Sequence, residues 1–322
     1  MRAWIVEKIT PQGELRLADV ATPAPKGDEA LIKVEAAGLN FLDTLVTRGL
    51  YQVKPPLPFS PGVEVAGRVA SAGPDSPFKP GERLLAAVNF GGLAEFAVAS
   101  RKDSWRLPEE IASRDATGLL TIYPTAHLAL KNRAQMKPGE TVLVTAGAGG
   151  VGSATIQLAK HWGGKVIAAA GGADKVAVCR ELGADEAIDY TAEKMVDAVR
   201  RLAPDGVDIA VDSVGGSAAV DCLRCLAWGG RLIVVGFAGG TVAELPSNRL
   251  LLKNAAAMGV YWGEHKKHDP KLADAILAEL FDLCRAGAIK PLVRDLFPFA
   301  EAPAALAALG SRKSVGKVVI QS

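Results

Sequence analysis

Gly147-Ala148-Gly149-Gly150-Val151-Gly152 is the stretch that most restricts what this chain can fold into. It follows Thr141-Val142-Leu143-Val144-Thr145, a short β-branched, apolar run that reads as a buried strand. Ser153–Lys160 comes next, with apolar residues at helical spacing. Strand, glycine turn and helix in that order predict a dinucleotide site. Gly147 permits the tight turn, Gly149 lets the backbone approach a pyrophosphate, and Gly152 lets helix and strand pack closely. Free N–H groups of Gly150, Val151 and Gly152, at the positive end of the helix, receive the phosphates.

The rest of the chain has two rhythms. Residues 1–121 hold short alternating runs such as Ala30–Ala36, Val63–Val69 and Glu95–Ala99, punctuated by Pro23, Pro25, Pro61-Gly62 and Pro80-Gly81. Such runs predict a compact, barrel-like β domain. From residue 122 strands alternate with helices. Strands are expected at Thr141–Thr145, Lys165–Ala170, Glu186–Asp189, Val207–Asp212, Arg231–Val235 and Ala257–Trp262, with helices at Lys175–Leu182 and Ala218–Leu226 between them. That alternation predicts right-handed βαβ units in a parallel, doubly wound sheet. After 263 come a helix (Pro270–Arg285), a strand near Val293–Phe297, a helix (Ala300–Leu309) and a closing strand (Lys317–Ile320). They are too few for a third domain. The expectation is an α/β chain in which 1–121 and 263–322 form one domain and 122–262 is inserted as the other. A length of 322 residues fits two cores.

A net charge of +2 without a basic stripe argues against nucleic acid as a partner. No apolar run is long enough for a transmembrane helix, and Met1–Glu7 reads as a first strand rather than a signal peptide, so the cytoplasm is the expected compartment. Of the four cysteines, Cys222 and Cys225 form a CxxC on an expected helix, with no second pair or nearby histidine to complete a zinc site. Reduced, partly buried thiols are the reading. His127 and His161 fall in helix-like runs, and His265 and His268 flank a lysine-rich turn.

The chain resembles the medium-chain dehydrogenase/reductase superfamily, in its zinc-independent, zeta-crystallin-like quinone oxidoreductase branch. The resemblance rests on Gly38-Leu39-Asn40-Phe41-Leu42-Asp43, Arg48-Gly49-Leu50-Tyr51, Pro61–Gly67, the glycine turn, Asp212-Ser213-Val214-Gly215-Gly216 and Gly316-Lys317-Val318-Val319. It implies a GroES-like catalytic domain, a Rossmann domain and an active site in the cleft between them. It also implies a homodimer joined through the Rossmann sheets, at the edge strand near Ala257–Trp262. Zinc enzymes of the superfamily place a cysteine in the segment of Asn40 and a His-Glu pair after the glycine matching Gly62. Here Val63 takes the histidine's place and Glu64 remains. No metal is expected.

The cofactor expected is NADPH. The second strand ends in Ala170-Gly171-Gly172-Ala173-Asp174-Lys175, with no acid before Asp174 to grip a ribose 2′-hydroxyl. Lys175 is placed to pair with a 2′-phosphate, and Asp174 reads as a helix N-cap. The resemblance adds Tyr190 and, approximately, Arg312 to the phosphate site, Gly171 to the cofactor-binding loop, and Thr125 and Phe237 beside the nicotinamide. It also implies that Asn40, Asp43 and Tyr51 line the catalytic cleft. Asn40 offers an amide N–H to a carbonyl, and Tyr51 a phenol that can stack and donate. Asp43 either orients a neighbour or caps Asn40–Leu45. Leu45 stands where some relatives carry a second tyrosine, and Tyr261-Trp262 closes the substrate cleft or serves the sheet edge.

Three functions remain open at this point. One is NADPH-dependent reduction of a quinone by direct hydride transfer. Another is reduction of the C=C bond of an α,β-unsaturated carbonyl, with Arg48, Lys54 and Arg249 as candidate contacts for an anionic substrate. The third is an NADPH-binding structural or RNA-binding role.

Overall fold

The computed structural model describes residues 1–322, which divide into two compact units: Met1–Thr121 with Pro291–Ser322, and Ile122–Lys290. The first unit opens with a two-stranded antiparallel ribbon, β1 (Arg2–Ile5) and β2 (Arg16–Asp19). Next come β3 (Ala30–Leu39), helix α1 (Phe41–Val46), β4 (Glu64–Ala72), β5 (Arg83–Ala87), β6 (Phe96–Ala99), β7 (Ser104–Arg106) and α2 (Ser113–Ala116). The long strand β3 organises the sheet. One of its edges pairs with β4, and the other is divided, with β6 along Ala30–Lys33. Bulges against β4 bend it, and Gly67 sits at the bend, where a β-carbon would lie only 2.0 Å from Lys33 O.

The second unit runs α3 (Ile122–His127), β8 (Thr141–Val144), α4 (Gly150–His161), β9 (Lys165–Ala170), α5 (Ala173–Glu181), β10 (Glu186–Asp189), α6 (Met195–Leu202), β11 (Val207–Asp212), α7 (Gly216–Cys225), β12 (Leu226–Val234), α8 (Ser247–Lys253), β13 (Ala256–Gly259), α9 (Trp262–His268) and α10 (Pro270–Arg285). Its six strands are all parallel, in the order β10-β9-β8-β11-β12-β13. The order reverses between β8 and β11, which is where a doubly wound sheet opens a crevice at its carboxyl ends. β8, β9 and β11 are near-continuous apolar runs because helices cover both faces.

The chain then returns to the first unit as β14 (Asp295–Pro298), α11 (Ala302–Gly310) and β15 (Val318–Gln321). β15 takes the remaining edge of β3, pairing with Ala36–Leu39. One core of the unit gathers Ile32, Val34, Leu39, Val65 and Leu84 with Ala305, Val318 and Ile320 from this return.

Several expectations need correction. The return comes at Pro291, not at 263. Helix α10 buries Ala273, Ile276, Leu277 and Leu280 and packs on α3, and Gln157 exchanges hydrogen bonds of 2.9 and 2.7 Å with the backbone of Lys290. Periodicity identifies an amphipathic helix but not the surface that receives it. The last strand stops at Gly259, so Trp262 begins α9, and His265 and His268 are helical rather than beside a turn. β12 begins at Leu226, five residues before the expected start, because Gly229 and Gly230 are accommodated in an irregular strand. No helix is long and apolar enough to cross a membrane.

Candidate active site

In the second unit the glycine turn lies at the carboxyl end of β8, beside the reversal of strand order. Helix α4 starts at Gly150 with Gly149 as N-cap and no side-chain cap, so its first N–H groups have no intrahelical or side-chain acceptor. The glycines divide their work differently from expectation. The left-handed residue of the turn is Ala146, with φ +49°. Gly147 is required for packing instead: a β-carbon there would lie 2.8 Å from Cys179 Sγ and 3.0 Å from Ala168 Cβ. At Gly152 it would lie 2.2 Å from Ala146 O, so helix and turn touch backbone to backbone. At Gly149 only Ala146 O comes near, at 3.2 Å. The missing side chain therefore leaves space rather than a packing partner, and the cradle fits a pyrophosphate.

Asp212 ties this turn to the neighbouring strand. Fully buried, it accepts from Thr145 Oγ1 at 2.7 Å and from the N–H groups of Val214 and Gly215 at 3.1 and 2.8 Å. At Gly215, φ +79°, a β-carbon would strike Phe237 at 2.7 Å, so the half-exposed Phe237 ring packs on that turn. Thr125 is buried in α3.

At the end of β9, Gly171 carries the Tyr190 ring: a β-carbon would meet the phenolic oxygen at 2.8 Å. Gly172, φ +90°, is the N-cap of α5, so Asp174 lies inside the first turn and does not cap it. Only a residue tolerating that φ fits the cap position. Lys175 is half-buried in the same turn. Asp189, unremarked in the sequence, comes across from β10. Its Oδ1 accepts from Thr191 Oγ1 (2.6 Å) and from the N–H groups of Gly172 and Thr191 (2.9 Å each). Those hydrogen bonds, the Thr191 hydroxyl first, hold its carboxyl below the usual range.

The first unit brings a polar cluster together under the sheet. The N–H of Asn40 donates to Asp43 Oδ2 (2.8 Å) at the start of α1, and the N–H of Gly62 donates to Asp43 Oδ1 (3.1 Å). Asp43 thus caps the helix and pins the Gly62 loop to it. Burial pushes its carboxyl up to about 7, against the opposing pull of those N–H groups and Lys317. Asn40 Oδ1 accepts from Lys317 Nζ at 2.7 Å. Lys317 also forms an ion pair with Glu64, whose other oxygen accepts from the Thr121 hydroxyl. Lys317 and Glu64 are both buried. Asn40 Nδ2 has no hydrogen-bond partner. Gly38 makes the room: a β-carbon would sit 2.3 Å from Glu64 Oε1 and 2.7 Å from Lys317 Cε. Tyr51 is half-buried beside Val6, Val46 and Phe59.

Arg312 is exposed, φ +60°, in the turn after α11, and Lys54 is exposed. Arg48 donates to Pro11 O at 2.8 Å. Arg249 is half-buried in α8, and Leu45 in α1. Lys317, Glu64 and Thr121 were missed as a unit. The signal was present: Lys317 opens the apolar run Val318-Val319-Ile320 and Glu64 lies in Val63-Glu64-Val65-Ala66, and a lone charge in a core strand needs a counter-charge.

A zinc ion is what the superfamily's metal enzymes hold at this place, and these residues do not fit one. The donors are an amide oxygen already taken by an ammonium, an aliphatic Val63, and a Glu64 committed to that same ammonium. Nowhere does the chain gather three His, Cys, Asp or Glu side chains in a ligating group. Cys222 and Cys225 are buried in α7, and burial pushes both thiols up, that of Cys225 to about 11.

Sequence profiles match in both units: the Alcohol dehydrogenase GroES-like domain over residues 26–109 and the Zinc-binding dehydrogenase domain over residues 150–278. Rat quinone oxidoreductase-like protein 2 is 43% identical over 310 residues, 95% of this chain and 88% of its own. Pig quinone oxidoreductase is 32% identical, over 94% of this chain and 92% of its own. Among solved structures, a mycobacterial protein complexed with NADPH superposes with a TM-score of 0.92 at 35% identity, covering both chains fully. Quinone oxidoreductase from Thermus thermophilus, solved alone and with NADPH, gives 0.84 at 36% identity, again over both whole chains. The chain belongs to the medium-chain dehydrogenase/reductase superfamily, among its quinone oxidoreductase-like members.

Proposed function

We propose that this chain is an NADPH-dependent quinone reductase that works without zinc. NADPH, when bound, supplies the hydride. The glycine turn would hold its pyrophosphate, Lys175 and Tyr190 its 2′-phosphate, and Thr125 and Phe237 the nicotinamide. Complexes of relatives with NADPH support that choice over NADH, as does the lack of an acid at the end of β9.

The observation that carries the reading is Asn40. Its carbonyl oxygen is committed to Lys317 and its N–H2 is left without an acceptor. A donor fixed in this way suits an oxygen that gains negative charge as hydride reaches a carbon conjugated with it. Asp43 positions Asn40 through its backbone, and Tyr51 offers a surface for a flat ring. The acceptor oxygen then takes its proton from solvent. The four cysteines form no disulfide, which fits a reducing compartment, and we take the protein to be cytoplasmic.

We further propose a homodimer joined along β13. That strand is the sheet edge, Ala256, Ala257 and Gly259 are exposed, and Leu251, Leu252 and Trp228 are 80, 71 and 75% exposed. Light scattering should give a dimer mass, and Leu252→Lys should reduce it to that of a monomer.

The catalytic reading is tested by an anaerobic assay of NADPH oxidation with a para-quinone and, separately, a cyclic enone, the products identified by mass spectrometry. Hydroquinone as the faster product supports quinone reduction. A saturated ketone as the faster product assigns the enzyme to enones instead. NADPH binding without turnover of either overturns both.

A further inference from the structure

We propose that Lys317 is a positioning residue for this reaction: a buried cation that fixes which way the Asn40 amide faces and strengthens the N–H groups it offers. The proposal rests on Asn40 being the donor to the acceptor oxygen. An ammonium has three donors and no lone pair, so the atom 2.7 Å from Lys317 Nζ has to be Asn40 Oδ1. Rotating the amide by half a turn would set N–H2 against NH3⁺ in a site closed to water. Nδ2 is thereby turned away from Lys317, and it is the atom left without a partner. Asn40 is 8% exposed and Nδ2 itself is buried, so an acceptor oxygen would reach it by displacing what covers it.

The cation does more than orient. Drawing electron density toward Oδ1 makes the N–H groups better donors, and the effect is larger where water cannot screen it. The benefit grows as negative charge builds on the acceptor oxygen, so it belongs to the reacting state more than to substrate binding. Glu64 neutralises the ammonium, and the Thr121 hydroxyl in turn holds Glu64. The ion pair, the amide contact and the room that Gly38 leaves for both side chains form one device, assembled from β3, β4 and the lead into β15.

The test compares full-length wild type with Asn40→Ala and with the double variant Lys317→Met/Glu64→Gln, which removes both charges so that neither is stranded. The readouts are kcat and KM for a para-benzoquinone, the NADPH Kd by fluorescence, and Tm. The double variant should keep its NADPH Kd and quinone KM within about threefold while kcat falls about tenfold or more, toward that of Asn40→Ala. A folded double variant with wild-type kcat, beside an Asn40→Ala variant that has lost activity, overturns the role of Lys317 and leaves that of Asn40 standing. Wild-type kcat in Asn40→Ala overturns both. If the double variant does not fold, a neutron structure of the wild-type protein decides. Deuterium on the amide atom facing away from Lys317 supports the proposal, and deuterium on the atom facing it overturns it.

Discussion

Two alanine substitutions in the glycine turn, three residues apart, should have opposite signatures. At Gly152 the new methyl would lie 2.2 Å from Ala146 O and 2.8 Å from Gly147 Cα, both backbone atoms that no rotamer change can move. Reaching an ordinary contact of roughly 3.4 Å requires the start of α4 to shift by about 1 Å, an overpacking strain of about 1–3 kcal/mol. Better helix propensity offsets at most about 1 kcal/mol of it. At Gly149 the only contact is Ala146 O at 3.2 Å, with ordinary backbone at φ −82° and ψ 178°. The gain from a stiffer unfolded chain, about 0.4–1 kcal/mol, cancels the poorer N-cap. Gly149→Ala should therefore leave Tm within about 2 °C, whereas Gly152→Ala lowers it by several degrees. Yet the Gly149 methyl fills the space proposed for the pyrophosphate. Losing one charge-assisted N–H contact there, about 1.5–3 kcal/mol, should raise the NADPH Kd tenfold or more. Fluorescence titration with NADPH and thermal melts of both variants supply the measurements. An unchanged NADPH Kd in Gly149→Ala would refute the cradle, and an unchanged Tm in Gly152→Ala would refute the close packing of turn and helix.

Three further outcomes follow from named contacts. Asp43 ionises near 7 when folded and at its ordinary 3.8 when unfolded, so between those values the folded state holds the extra proton. Its contribution to stability therefore falls as pH rises from about 4 to 7, by roughly 4 kcal/mol if no other group compensates, and Asp43→Asn should flatten that slope in denaturant melts. Charge reversal in Lys175→Glu should raise the NADPH Kd about tenfold or more while leaving the NADH Kd within about twofold, read by paired titrations. Arg231 grips Glu140 with two hydrogen bonds of 2.9 and 2.7 Å, and Arg231→Lys keeps the charge but not the fork. It should lose about 1 kcal/mol, seen as a Tm lower by about 2–4 °C.

Local pattern carried most of the second unit. β9, β10 and β11 begin and end at the expected residues. β9 and β11 are inner strands covered on both faces and mostly apolar, whereas β10, Glu186-Ala187-Ile188-Asp189, is a short edge strand. The first unit was less legible. Its central strand β3 is shared among β4, β6 and β15, and β15 lies almost the whole chain away. No local signal specifies such pairing. The same blindness misassigned α10, whose sequence displays an apolar face but not the helix α3 that covers it.

The candidate site divides along the same line. The glycine turn was readable because strand, turn and helix are contiguous, and even there Ala146 rather than Gly147 takes the strained conformation. Asn40 and Asp43 were readable as residues, but their geometry was not, because it depends on Lys317, 277 positions beyond Asn40. At the place where the superfamily's zinc enzymes hold their metal, this chain consequently differs by more than a single substitution. With Val63 in place of the histidine, Glu64 would be a buried carboxylate without a counter-ion. Lys317 supplies the charge, and the amide at Asn40 gives that ammonium a further acceptor. A buried pair contributes little net stability compared with apolar residues of the same volume. Its presence in a core otherwise built from Val, Leu and Ala is better accounted for by the proposed effect on Asn40 than by what it adds to the fold.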